Sequence, residues 1–192
     1  MKSPNSTLIK KSSQTSRDYS SFFDMKFEKD FRDFVCLLNK HEVEYLIVGA
    51  YALGYHGVPR ATLDFDVYVR PTPENAAKIS RALEEFGFVG LDRRDLAEPG
   101  KVVMMGRPPM RIDLLTRISG VSWETAWANK LSGTYGEEPI FIIGKNELLA
   151  NKAASGRTKD LADLEALGET AAKKPGQLRR TRRARRKKQN WE

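Results

Sequence analysis

The chain has 192 residues, of which 40% are hydrophobic and 9% aromatic. That is enough for one compact domain with a proper core, and it excludes disorder of the whole chain. Its formal charge of +8 is local: ten of the 33 Lys and Arg, against one of the 25 acids, fall in residues 171–192, leaving 23 basic and 24 acidic residues elsewhere.

A single cysteine, Cys36, rules out an intrachain disulfide and any cysteine-based zinc site. Within Phe34-Val35-Cys36-Leu37-Leu38 it reads as a buried small hydrophobe. Its compartment is then reducing, and the expected location is the cytoplasm. No run approaches the ~20 apolar residues of a membrane span, so no membrane partner is expected. Residues 1–17 are polar and serine-rich without an apolar stretch, which excludes a secretory signal. Their basic residues without acids fit a disordered tail or, more loosely, an organellar transit peptide.

Three segments follow: a disordered tail over 1–24, one domain over 25–168 and a disordered basic tail over 169–192. In the domain, Phe27, Phe31, Phe34, Val35 and Leu38 recur at helical spacing and predict an amphipathic first helix. Tyr45 to Val48 is a β-prone run ending at Gly49, followed by a short helix over 50–56 and a turn at Gly57-Val58-Pro59. Asp64 to Val69 alternates as a strand. Pro73 and Glu74 start a helix that Gly87 stops. Lys101–Met105 and Met110–Leu115 are strand candidates around Gly106-Arg107-Pro108-Pro109. Trp123–Lys130 reads as helix, Pro139–Ile143 as strand, and Asn146–Leu167 as one or two helices. The pattern predicts an α/β or α+β fold on a mixed sheet. Lys173-Lys174-Pro175-Gly176 then marks a helix stop before the basic run.

Asp64 and Asp66 are the most informative residues. With a period of two, both carboxylates leave a strand on the same face, opposite to Phe65, Val67 and Val69. Two like charges so placed repel, and aspartate is disfavoured in strands, unless a cation sits between them. Hard oxygen ligands at this spacing suit Mg²⁺, with Mn²⁺ as a substitute. Asp113, a lone acid in Arg111-Ile112-Asp113-Leu114-Leu115, would be the third ligand if its strand lies beside the pair. Two metal ions on three carboxylates serve in-line phosphoryl transfer. The alternative is a solvated Asp-x-Asp pair and a hydrogen-bonded acid at a strand end.

The order of segments bears on that choice. Val48-Gly49-Ala50 lies upstream, and thirteen residues, 51–63, separate Ala50 from Asp64-Phe65-Asp66. This succession of strand, glycine, short helix and Asp-x-Asp resembles the signature of the DNA polymerase β-like nucleotidyltransferases. The phrases Gly49-x-x-Ala52, His56-Gly57, Pro59-Arg60-x-Thr62 and Leu149–Leu164 look like the small prokaryotic members, several of which act as toxins. The resemblance covers about residues 40–167. It implies transfer of a nucleoside monophosphate from an NTP such as ATP to a hydroxyl on RNA (a tRNA end, for example), a protein or a small molecule. It implies Asp64, Asp66 and Asp113 as metal-binding catalytic residues, Gly49, Ala50, Arg60, Thr62 and Lys152 as nucleotide-binding, and a cognate antitoxin as a possible partner. Ala50 departs from the family's Gly or Ser, keeping a backbone N–H but supplying no hydroxyl.

Other residues have plainer readings. His56 packs or caps at the Gly57 turn, His41 is an exposed residue at a helix end, and Trp123 with Trp127 belongs to the core. Lys159 and Asp163 are spaced as an exposed i, i+4 pair. Arg60 is a phosphate or structural clamp. The basic tail would meet RNA or another anionic polymer non-specifically and with a steep salt dependence. Two rival functions remain at this point: an impaired nucleotidyltransferase-like NTP-binding module, to which Ala50 points, and a nucleic-acid-binding protein acting through the tail.

Overall fold

The computed structural model describes residues 29–62, 64–107 and 110–172. Its elements in chain order are α1 (Lys29–Lys40), β1 (Tyr45–Ile47), α2 (Gly49–Tyr55), β2 (Asp64–Val69), α3 (Pro73–Phe86), α4 (Arg93–Ala97), β3 (Val102–Arg107), β4 (Met110–Leu115), α5 (Trp123–Ala128), β5 (Leu131–Tyr135), β6 (Glu138–Ile142), α6 (Lys145–Ser155) and α7 (Thr158–Ala172). The expectations for residues 1–24 and for the basic run after residue 172 lie outside the described residues, as does Phe27.

Six strands form one mixed sheet in the order β3-β4-β2-β1-β6-β5. Antiparallel hairpins, β3–β4 and β5–β6, make its two flanks. The centre is β1–β2, antiparallel, and each joins a hairpin through a parallel pairing, β2 with β4 and β1 with β6. The expected α/β fold on a mixed sheet is therefore the observed one.

The alternation of β2 decides what each face becomes. Phe65, fully buried, stacks on Phe31 of α1 at 5.0 Å and meets Tyr51 of α2 at 4.9 Å and Tyr135 of β5 at 5.5 Å. Helix α3 packs beside α1, where Phe86 meets Phe34. On the acid-bearing face Tyr68 packs edge-on against Trp123 of α5, and Gly120 lies tight against Ala150 and Ala154 of α6. Trp123 and Trp127 stack at 5.3 Å as core residues, with the Lys130 ammonium 4.0 Å over the Trp127 ring.

Local chemistry sets the element ends. The Thr72 hydroxyl accepts from the Asn75 N–H at the start of α3, Pro73 supplies the first turn, and Gly87 ends the helix at φ 99°. Asn75 is buried and ties the end of β2 to the start of β1, donating to the carbonyls of Glu44 and Arg70 and accepting from the Glu44 N–H. His56 closes α2 with its Nε2 2.9 Å from the Ile143 carbonyl, and burial pulls its pKa down. His41 is only partly exposed and pairs with Glu85 at 2.9 Å.

One reading is corrected here, and two elements are present that the sequence does not announce. Cys36 is exposed, because the buried stripe of α1 is Phe31, Phe34, Val35 and Leu38 and position 36 points away from it. The segment 131–135 is a strand that its sequence, Leu-Ser-Gly-Thr-Tyr, does not announce. At Gly133 a Cβ would stand 2.8 Å from Ile142 Cδ1 and 3.0 Å from the Tyr55 ring, so any side chain there would have to displace them. Helix α4, capped by Asp92 accepting from the Arg94 N–H, is the second such element.

Phe65 joins α1, α2 and β5 to the strand that bears the acids. Phe65→Ala should therefore cost about 3–5 kcal/mol, read as a lower urea midpoint without a change in slope.

Candidate active site

Strand β2 pairs in parallel with β4, so that Asp64 stands opposite Arg111 and Asp66 opposite Asp113. Directly opposed residues share a face, and Asp64, Asp66, Arg111 and Asp113 accordingly line one side of the sheet. On β3, Gly106 opposes Arg111 and Met104 opposes Asp113. The three acids thus occupy adjacent strands on a common face. The side chain of Asp64 is 43% exposed, whereas that of Asp113 is 10% exposed, so the row runs from solvent into the domain.

Between the acids lies a residue that the motifs did not single out. The Arg111 guanidinium donates through Nε to Asp113 Oδ1 at 2.7 Å and through Nη2 to Asp113 Oδ2 at 3.0 Å, while Nη2 reaches Asp64 Oδ2 at 3.3 Å. The signal was present in the sequence: Arg111 and Asp113 are two apart on a strand and must share a face. As the side chains stand, no three His, Cys, Asp or Glu among the described residues form a group that could hold a metal ion.

Asp66 is treated differently. Among the described residues no ion pair or hydrogen bond reaches its carboxylate. Burial, then the charges of Asp113 and Asp64, push its pKa up to about 6, and Lys159 and Lys152 offset this only in part. A mostly buried carboxylate flanked by two others and lacking a direct counter-ion is what a divalent cation would satisfy. In kind, three carboxylates would suit Mg²⁺ or Mn²⁺, but as they stand here they are not drawn together into a group that could hold an ion.

Gly49 is fixed by this acid. It adopts φ 63°, and a Cβ there would stand 2.0 Å from Asp66 Oδ2. The glycine is thus required both by its backbone conformation and by the approach of the carboxylate. Ala50 is buried in the start of α2. The Thr62 hydroxyl is engaged locally, donating to the Asp64 carbonyl and accepting from the Asp64 N–H, both at 3.2 Å.

Lys152 is neither solvated nor free. Gly156, at φ 63°, ends α6 and lets α7 fold back, which brings acids of α7 onto the lysine. Lys152 Nζ donates to Asp160 Oδ1 at 2.8 Å and stands 2.7 Å from Asp163 Oδ2, off the line of a hydrogen bond. Burial raises the pKa of Asp160, but hydrogen bonds from Lys152 and Arg157 outweigh it and hold the carboxyl well below the usual range. Arg60 Nε reaches Asp163 Oδ1 at 3.4 Å, which makes Arg60 a structural clamp between the approach to β2 and α7. Asp163 therefore pairs with Lys152 and Arg60 and not with Lys159, the expected i, i+4 partner.

Gly49→Ala should destabilise by more than the about 1–2 kcal/mol of left-handed strain alone. Combining it with Asp66→Ala should remove the excess, a coupling read from a double-mutant cycle in urea. Asp66 also fixes a pH dependence. Its folded pKa is raised to about 6 from a reference of 3.8, so the protonated form stabilises the fold fully below about pH 4, and this is lost as pH rises through 6. In the absence of divalent cations, Asp66→Asn should flatten this loss and be more stable at pH 8 by on the order of 2 kcal/mol.

No protein-family model and no curated protein matches the sequence. Three solved structures show a partial likeness to the chain. The antibiotic-resistance factor ANT(2'')-Ia is 12% identical over 74% of this chain and 83% of its own, with a TM-score of 0.48. A candidate nucleotidyltransferase from Thermotoga maritima is 14% identical over 76% of this chain and 92% of its own, with a TM-score of 0.47. The lincosamide antibiotic adenylyltransferase LnuA, solved with lincomycin bound, is 14% identical over 74% and 97%, with a TM-score of 0.46.

Proposed function

We propose that the chain transfers a nucleoside monophosphate from an NTP to a hydroxyl acceptor, releasing pyrophosphate. The observation that carries this reading is the register of β2 on β4, with Asp66 opposite Asp113 and Asp64 beside them on one face. Asp64 and Asp66 are the residues that would hold divalent metal, and Asp113 would serve as a further ligand or as the base for the acceptor hydroxyl. Bound there, the ions would supply charge neutralisation to the triphosphate and acidity to the attacking hydroxyl.

The protein's own part is orientation and charge. The raised pKa of Asp66 comes first from burial and then from the neighbouring charges of Asp113 and Asp64, and a cation–NTP complex would relieve the second part. Lys159 and Lys152 lie near enough to Asp66 to lower that pKa, and so add positive potential on the side of the site where phosphate would gather. Lys152 acts through the field of its ion-paired cluster, being held by Asp160 and Asp163. Gly49 keeps the backbone close to the acids without a side chain in the way. The acceptor (RNA, protein or small molecule) is the open choice within this reaction, and an antitoxin is the partner that the toxin-like phrases imply.

The second reading is an NTP-binding module without turnover, favoured by Ala50 and by the Arg111 bridge between two of the acids. Turnover separates the two. With labelled NTPs, Mg²⁺ and a total cell extract as the source of acceptor, the wild-type chain should release pyrophosphate and label one acceptor class. Asp66→Asn keeps the volume, removes the negative ligand and should lower that turnover by orders of magnitude while the fold survives. Unchanged turnover in the variant would remove the carboxylate mechanism; NTP-dependent thermal stabilisation without turnover in the wild type would favour the binding module.

A further inference from the structure

The Arg111 bridge has the geometry of a resident counter-ion. Its guanidinium makes two hydrogen bonds to the more buried Asp113 and a third contact to the more exposed Asp64. It lies on the strand next to β2, at the level of Asp64, where Gly106 on β3 leaves no side chain beside it. It leaves Asp66 unpaired. A divalent cation on Asp64, Asp66 and Asp113 and a guanidinium on Asp64 and Asp113 would use the same oxygens.

We infer that Arg111 is a built-in counter-ion that competes with divalent metal for Asp64 and Asp113 and must be displaced when metal binds. This rests on the carboxylate reading of the site and adds its regulation. The arginine keeps the acid row folded without metal, because it neutralises a carboxylate that is otherwise buried among like charges. It also sets the order of loading. A bare cation has to break a bidentate, charge-assisted pair and leaves the guanidinium without a partner. A cation arriving with a triphosphate offers that guanidinium new anionic oxygens, to which its planar fork is equally suited. Arg111 is thus a positioning residue that couples metal binding to nucleotide binding.

The test uses Mn²⁺ alone as the probe, with free Mn²⁺ read by electron paramagnetic resonance on the full chain without nucleotide. Arg111→Gln should bind Mn²⁺ about tenfold more tightly than wild type, the scale expected for removing a bidentate competitor. Arg111→Lys retains the charge but loses the fork and should fall between them. Lys159→Gln removes an equal charge near Asp66 without touching the bridge, and it should shift the affinity much less. Should Arg111→Gln prove unstable, the rise in melting temperature on adding Mn²⁺ gives the same comparison, and it should be larger for Arg111→Lys than for wild type. Equal Mn²⁺ affinity in wild type and both Arg111 variants would overturn the competition and leave the carboxylate site standing. Equal shifts from Arg111→Gln and Lys159→Gln would reduce Arg111 to a diffuse charge and overturn it too. If no form binds Mn²⁺, with or without NTP, the metal site itself fails and the inference falls with it.

Discussion

The parallel pairing of β2 with β4 forces like charges together, and much of the site follows from that one register. Directly opposed side chains on neighbouring strands stand about 5 Å apart, and two carboxylates at that distance repel by about 3 kcal/mol at an effective dielectric of 20. The pairing of Asp66 with Asp113 is therefore costly on its own. The surrounding hydrophobic faces hold the register regardless: a slip by one residue would turn Phe65 and Val67, both fully buried, onto the acid face.

Compensation for that charge is uneven. Arg111 serves Asp113 and Asp64 directly. Asp66 receives only the more distant influence of Lys159 and Lys152, of which Lys152 is itself largely neutralised by Asp160 and Asp163. The α6–α7 cluster is a closed ionic core that braces α7 against the approach to β2 through Arg60. A buried cluster of this kind is sensitive to loss of any one partner, since each remaining charge is then left unpaired away from water. Its contribution to the site is mainly one of placement.

The sequence made legible what depends on local period and punctuation. Asp64–Val69 alternates without interruption, and its boundaries and faces are those observed. Pro73 and Gly87 mark the two ends of α3 through turn chemistry that acts within a few residues. Strand β5 was not legible, since Leu131-Ser132-Gly133-Thr134-Tyr135 has neither alternation nor a β-branched run, and it is held by pairing with β6 and by Tyr55 donating to the Ser132 carbonyl. The partners of Lys152 were hidden for a similar reason. They depend on the angle at which Gly156 returns the chain, which spacing along a single helix does not contain. Cys36 stands in an apolar run yet is exposed, because the helical phase of α1 and not the run decides which side chains face the core.

Gly49 joins the two levels of description. In the sequence it is a glycine after a short strand, a weak sign on its own. In the fold it has a left-handed backbone and lies where any side chain would meet the carboxylate of Asp66. The backbone at the end of β1 thus comes to the acid row as closely as it can. Val48 makes the same approach from the main chain, its N–H donating to the Asp66 carbonyl at 3.0 Å. The strand–glycine–helix segment and the Asp-x-Asp strand, thirteen residues apart in sequence, are therefore in direct contact, through a backbone hydrogen bond and the close approach of Gly49 to the Asp66 carboxylate. That contact is a physical reason for the two signals to occur together, and their order and spacing say more than either does alone.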